Sequence, residues 1–183
     1  MSEKPGYPCE GSDTDESGRL MALHAYSILD TPPEIEFDRL VRLAAQLCRT
    51  PIAALSLVDE KRQWFKAVEG MSVRETDISM SFCKHAIQQS AFFEVRDARC
   101  DPRFADNELV VGSPHIRHYA AYPLVAPGGH ALGTLMVIDR EPREPGRGVD
   151  RREHRQPRAA PPAQLDRVAR LEHPVAERGQ RRR

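Results

Sequence analysis

The sequence predicts an α+β domain, helices packed on an antiparallel sheet, and three stretches carry that prediction. The first is IRHYAAYPLVAPGGHALGTLMVID, residues 116–139, where apolar runs over 118–125 and 131–138 flank a Pro127-Gly128-Gly129 turn. The second is 52–68, where IAALSLV and QWFKAV flank the charged turn Asp59-Glu60-Lys61-Arg62. Short apolar runs bounded by turn residues suit strands buried in a sheet, so each stretch reads as a hairpin. Pro127 cannot donate to a sheet ladder and the glycines accept positive φ, which places that connection. The third is a helix in which Phe37, Leu40, Val41, Ala44, Leu47 and Cys48 recur at helical spacing until Thr50-Pro51.

The remaining elements follow in chain order. Residues 1–18 are polar and acidic and are expected to stay disordered. Leu20, Leu23, Ala25, Ile28 and Leu29 suggest a short helix or a strand-like lead-in. Thr31-Pro32-Pro33-Glu34 predicts a capping box, Thr31 accepting from the amide of Glu34 while Glu34 reaches back. Trp64 and Phe65 are adjacent strand positions and must face opposite sides. Residues 70–78 read as loop, 81–89 as a helix of about two turns, and 92–95 as a short strand. The loop from Asp97 to Phe104 includes an Asp101-Pro102 pair able to open a helical turn. Leu109, Val110 and Val111 offer apolar contacts before Gly112-Ser113-Pro114.

A chain of 183 residues with 40% hydrophobic content can bury a core. Its net charge of zero conceals an asymmetry: residues 1–139 carry −6, and residues 140–183, with 13 arginines against 7 acids, carry +6. No segment has the apolar length of a membrane span, and the N-terminus does not read as a signal peptide. Cys9, Cys48, Cys83 and Cys100 have neither zinc-type nor C-x-x-C spacing, so reduced thiols and a cytoplasmic location are expected. After Glu144 the sequence turns to Arg and Pro without an aromatic residue or a lysine. Such a tail lacks the rings that stack on bases, its acids dilute its field, and it does not read as a nucleic-acid binder.

Taken together, ILDTPPE, PIAALSLVDEKRQWFKAVEG, SFCKHAI, DARCDPRFADNELVVG, IRHYAAYPL and LGTLMVID resemble the GAF domain of bacterial sensor proteins, over residues 19–143. The resemblance implies a GAF/PAS-like antiparallel sheet of five or six strands flanked by helices, a small-molecule pocket on one face, and a regulatory role without catalysis. It also implies a neighbouring histidine kinase or cyclic-dinucleotide enzyme, a signalling partner or a homodimer, and a closing helix after the sheet. Only 163–170 offers a weak version of that helix, and Pro174 interrupts it. Residues 144–183 read as a solvated basic extension or as the product of a shifted reading frame.

The pocket implied by the resemblance would be walled by Trp64, Phe82, Cys83, Asp97, Arg103, Phe104, Tyr119, Tyr122 and Met136, and the sequence names neither its ligand nor a cofactor. Cys83 and His85 lie about 200° apart on a helix and cannot serve one site, which assigns Cys83 to the core. His115 and His118 are not joined by a carboxylate or thiol cluster that would complete a metal shell. Arg117 or His118 could hold an anionic ligand in the pocket. A second reading takes Cys83 and Cys100 as the thiols of a free methionine sulfoxide reductase, a known branch of the same fold, with Arg99, Arg103 and His85 lowering a thiol pKa.

Overall fold

The structure, a computed structural model, describes residues 13–89 and 91–143. The arginine-rich 144–183 segment and its weak helical stretch lie outside the described residues, as do residues 1–12. The described chain runs α1 (Asp13–Ala25), α2 (Ile35–Cys48), β1 (Ile52–Val58), β2 (Arg62–Glu69), β3 (Glu75–Asp77), α3 (Cys83–Ala86), β4 (Phe93–Val95), α4 (Glu108–Val111), β5 (His118–Val125) and β6 (Ala131–Asp139). Helical 3-10 turns occupy Ile78–Met80 and Ala98–Cys100.

All six strands join one sheet in the order β3-β2-β1-β6-β5-β4, and every pairing is antiparallel. Both hairpins form where the sequence places them. They meet at the centre of the sheet, where Ile52–Leu57 pairs with Gly133–Ile138, and β1 is buried along its whole length. A side chain at Gly133 would collide with the Ser56 carbonyl 1.9 Å away, so glycine is what lets β6 approach β1 here.

Strand alternation divides the core into two faces. One face holds Ile52, Ala54, Phe65, Phe93, Tyr119, Ala121, Met136 and Ile138, covered by α3, α4 and their connections. The other holds Ala53, Leu55, Ala67, Ala120 and Val137 beneath Val41 and Ala45 of α2. Beside that cluster, Leu57, Trp64, Ala126 and Leu132 pack on Leu23 of α1.

Several local expectations are corrected. Helix α1 starts at Asp13, so residues 13–18 of the expected disordered terminus are helical. Thr31 and Glu34 do not form a capping box: α2 begins at Ile35, and Glu34 makes no side-chain cap bond. A bulge in β2 is the cause. The register jumps between Leu55↔Ala67 and Ser56↔Phe65, leaving Lys66 without a partner on β1. Lys66 turns to the helical side with its side chain fully buried, donating to Thr31 Oγ1 at 2.6 Å and to the Pro32 carbonyl at 3.1 Å. Its ammonium pairs with the Glu34 carboxylate and lies 5.3 Å from the centre of the Phe37 ring. A buried charge draws in both would-be capping side chains because its own desolvation demands oxygens.

The far end of α2 closes with Arg49 in the left-handed region, its N–H bonding back to the last turn. The expected loop at 70–78 contains β3, a three-residue edge strand whose Glu75, Thr76 and Asp77 carry no apolar signal. The expected two-turn helix at 81–89 contracts to the single α turn Cys83–Ala86 after the 3-10 turn. A further helical turn, α4, is capped by Asn107 Oδ1 accepting from the Leu109 amide at 2.9 Å.

Candidate functional site

Between the sheet and the segments that cover its first face lies a partly enclosed cavity of about 270 Å³. Its sheet wall is built by period two: Gln63 and Phe65 from β2, Tyr119 from β5, Met136 and Ile138 from β6, with Arg140 continuing the β6 series at the mouth. The opposite wall comes from 70–73, Phe82, Leu109, Ser113, Pro114 and Ile116. Most of the lining is apolar, with a few polar groups able to orient an occupant. A larger depression of about 470 Å³ near β4, lined by Glu94, Arg96, Asp97, Cys100 and Asp101 among others, is open to solvent.

Beneath the cavity the first face carries an unusual buried polar cluster. Cys83 Sγ lies 3.2 Å from Ser56 Oγ and 3.1 Å from both Thr134 Oγ1 and the Tyr119 hydroxyl. Ser56 and Thr134, which face each other across β1 and β6, share a 3.1 Å contact. The sulfur of Met136 receives a bond from the Cys83 thiol at 3.4 Å and a longer one from the Gln63 amide at 3.9 Å. Ser81 donates to the Gln63 carbonyl. Each buried hydroxyl in this cluster has a partner, which removes the cost of burying it. Burial pushes the Cys83 thiol up despite these bonds, and the Tyr119 hydroxyl up with it.

Of the nine residues expected in the pocket, Phe82, Tyr119 and Met136 line it. Cys83 lies below it, within hydrogen-bond reach of Tyr119 and Met136. Phe104 stacks on Phe82 with ring centres 4.0 Å apart, supporting the wall from behind. Trp64 and Tyr122 lie outside this cavity. Trp64 packs with Leu23 and Leu57 on the α1 side; Tyr122 has the opposite strand parity to Tyr119 and is 47% exposed.

Asp97 and Arg103 are also outside the cavity. The Asp97 carboxylate accepts from the Arg99 guanidinium at 2.7 Å and from the Arg99 amide, which hold it below the usual carboxylate range against some desolvation. Arg103 pairs with Asp101 at 2.6 Å and lies over the Phe93 and Phe104 rings. Neither Arg117 nor His118 reaches the pocket. Arg117 bonds the Val110 and Ile116 carbonyls. His118 is buried on the helical face, 3.5 Å from Glu94, and burial lowers its pKa.

The expected list omits Gln63, Ile138 and Arg140. The signal for them was present: once Met136 is placed on the pocket face, Ile138 and Arg140 follow at every second residue. Among the described residues there is no group of three or more His, Cys, Asp or Glu able to hold a metal ion, and no helix is long and apolar enough to cross a membrane.

An α+β domain with its cavity on one face of a six-stranded antiparallel sheet defines a class of pocket-bearing module. Comparison with known proteins gives the family: residues 32–156 match the GAF domain, and the chain belongs to that family. It is 43% identical over 141 residues to a cyclic di-GMP phosphodiesterase of Pseudomonas aeruginosa, an alignment covering 77% of this chain and 23% of that protein. The chain therefore spans about a quarter of that relative's length.

Among solved structures, it is similar to the GAF domain of an Acinetobacter phosphoenolpyruvate-protein phosphotransferase. The identity is 16%, the coverage 73% of this chain and 81% of that one, and the TM-score 0.47. It is also similar to a free methionine-R-sulfoxide reductase of Neisseria meningitidis, at 14% identity, with coverage of 75% and 81% and a TM-score of 0.49.

Proposed function

We infer that this chain is a non-catalytic sensory GAF domain of bacterial signal transduction, acting in the cytoplasm and binding a small organic molecule in the cavity on the first face of its sheet. The observation that carries the reading is the cavity itself: about 270 Å³, mostly apolar, and built from the same strand positions that organise the core. An occupant there would touch Ile138 and Arg140 at the end of β6. Three residues further on, the Arg143 guanidinium bonds the Cys48 and Arg49 carbonyls at 2.6 Å, at the C-terminal end of α2, and Asp139 at 2.7 Å. Binding would thus bias the packing of α2, the face offered to a signalling partner or a second copy, by shifting the population between two arrangements.

The relative's phosphodiesterase activity belongs to a protein about four times the length matched here. That relation supports a further reading, in which this sequence is the sensory part of a longer cyclic-dinucleotide enzyme or sensor kinase. Translation of the two other reading frames after Glu144 tests it: an amphipathic helix followed by effector motifs is expected, and their absence removes the frameshift.

Reductase chemistry is the alternative. Thiolate attack needs an accessible sulfur with a lowered pKa, whereas Cys83 is fully buried with its pKa raised. Mass spectrometry under native and denaturing conditions, paired with a methionine sulfoxide assay containing a thiol reductant, separates the two. A retained small-molecule adduct without turnover is expected. Reduction of the sulfoxide by the pure protein, lost in Cys83→Ser, would replace the sensory reading with the catalytic one.

A further inference from the structure

Charge at the cavity mouth is one-sided. Among the described residues, Arg140 is the cavity's one charged lining residue, and no aspartate or glutamate lines it. Arg140 is exposed, and among the described residues it enters no ion pair. Two carboxylates flank it in sequence. Asp139 is committed elsewhere, one oxygen accepting the Arg140 and Glu141 amides and the other pairing with Arg143 at 2.7 Å. Glu141, like Asp139, has the opposite parity to Arg140 and does not line the cavity. On the strand next to β2, Glu75 pairs with Arg62 and Asp77 accepts from Ser79, and neither lines the cavity. Among the described residues no carboxylate pairs with the Arg140 guanidinium, which presents paired donors suited to a carboxylate.

Deeper in, Met136 and Phe82 offer a polarisable, ring-accepting wall. At about 30 Å³ per water-sized group, the space holds on the order of ten non-hydrogen atoms.

We propose that the cavity takes a small organic monoanion, an aromatic or branched carboxylate whose anionic group meets Arg140 while its apolar body rests on Met136 and Phe82. The assignment rests on the reading of this cavity as a ligand pocket and adds the ligand's chemical class. It also moves the anion site from Arg117 and His118, where the sequence suggested it, to the end of β6.

The test uses three probes of one shape: phenylacetate, its neutral amide, and 2-phenylethylamine, titrated by NMR into the full chain and into Arg140→Gln and Arg140→Lys. Phenylacetate is expected to bind about tenfold more tightly than the amide, the gain of one charge-assisted contact at a partly exposed site. The amine is expected to bind most weakly. Arg140→Gln should abolish the preference, so that acid and amide bind alike, Arg140→Lys should keep part of it, and added salt should shrink it in the native chain.

Equal binding of acid and amide, a preference for the amine, or a preference that survives Arg140→Gln overturns the proposal and leaves the pocket reading intact. Failure of all three probes to perturb any cavity residue overturns the monoanion assignment as well. If the purified chain then also lacks an adduct, the pocket reading falls with it. Arg140 is exposed, so both variants should keep the native circular dichroism spectrum.

Discussion

Removing the two partners of the Lys66–Glu34 pair one at a time should have unequal effects, because they are unequally buried. The Lys66 side chain is fully buried and that of Glu34 is 37% exposed. In Glu34→Ala the ammonium stays inside with Thr31 Oγ1 and the Pro32 carbonyl as its remaining hydrogen-bond partners and the Phe37 ring beside it. Breaking a fully buried pair costs about 3–5 kcal/mol, and the partial exposure of Glu34 brings the expected loss down to roughly 2–3 kcal/mol. Glu34 makes no side-chain cap bond to α2, so the substitution removes none.

In Lys66→Met the stranded carboxylate reaches water, Thr31 still donates to the Ile28 carbonyl at 2.7 Å, and methionine fills the channel beside Phe37. The lost cation–π contact, about 2 kcal/mol for a desolvated ammonium, is largely offset because a charge is no longer buried, which leaves a net loss of about 0.5–1 kcal/mol. The double variant should resemble Lys66→Met alone, a coupling that a thermodynamic cycle measures. Urea unfolding followed by the fluorescence of Trp64, the single tryptophan, supplies the free energies. The reasoning is refuted if Lys66→Met costs as much as Glu34→Ala, or if the two losses simply add.

Two further outcomes follow from burial. Iodoacetamide under native conditions near pH 8 should alkylate the exposed Cys100 and spare Cys83, whose thiol is buried and pushed up; peptide mass mapping that found Cys83 modified first would contradict the packing described for it. His118 has its pKa lowered from 6.5 by burial, with Arg143 adding to the lowering while Glu94 and Asp139 oppose it. The folded state therefore holds it neutral. Its contribution to stability is complete above about pH 6.5 and declines as pH falls from there towards the folded-state pKa. Urea unfolding between pH 7.5 and 5 should show a shallower decline in His118→Asn than in the native chain; equal slopes would mean that His118 is not held neutral.

The hairpins and α2 were legible because their signals are local: an apolar run, a turn, a helical stripe. The capping box at Thr31 was misread because a residue 35 positions away, Lys66, competes for the same oxygens, and only the bulge in β2 brings it there. β3 escaped because a short edge strand buries little and needs no apolar residues. The expected pocket residues differ from the cavity lining for a different reason. Tyr119 and Tyr122 stand together among them although residues three apart on a strand face opposite sides, and Arg140, which shares parity with Met136, is absent. Strand parity, applied consistently, excludes the first pair and recovers the second. It cannot supply the walls from 70–73 and from Ser113, Pro114 and Ile116, whose placement depends on the tertiary path of the loops.

Methionines report on the cavity directly. Met71 and Met136 line it, whereas Met21 sits 73% exposed on α1. With all methionine methyl groups labelled with carbon-13, the chain can be titrated with a library of small metabolites spanning carboxylates, nucleotides, amines and neutral compounds. At least one compound should shift the Met71 and Met136 signals saturably and leave Met21 in place. A library that never moves those two signals, or that moves them only together with Met21, would contradict the claim that this cavity is where the domain senses.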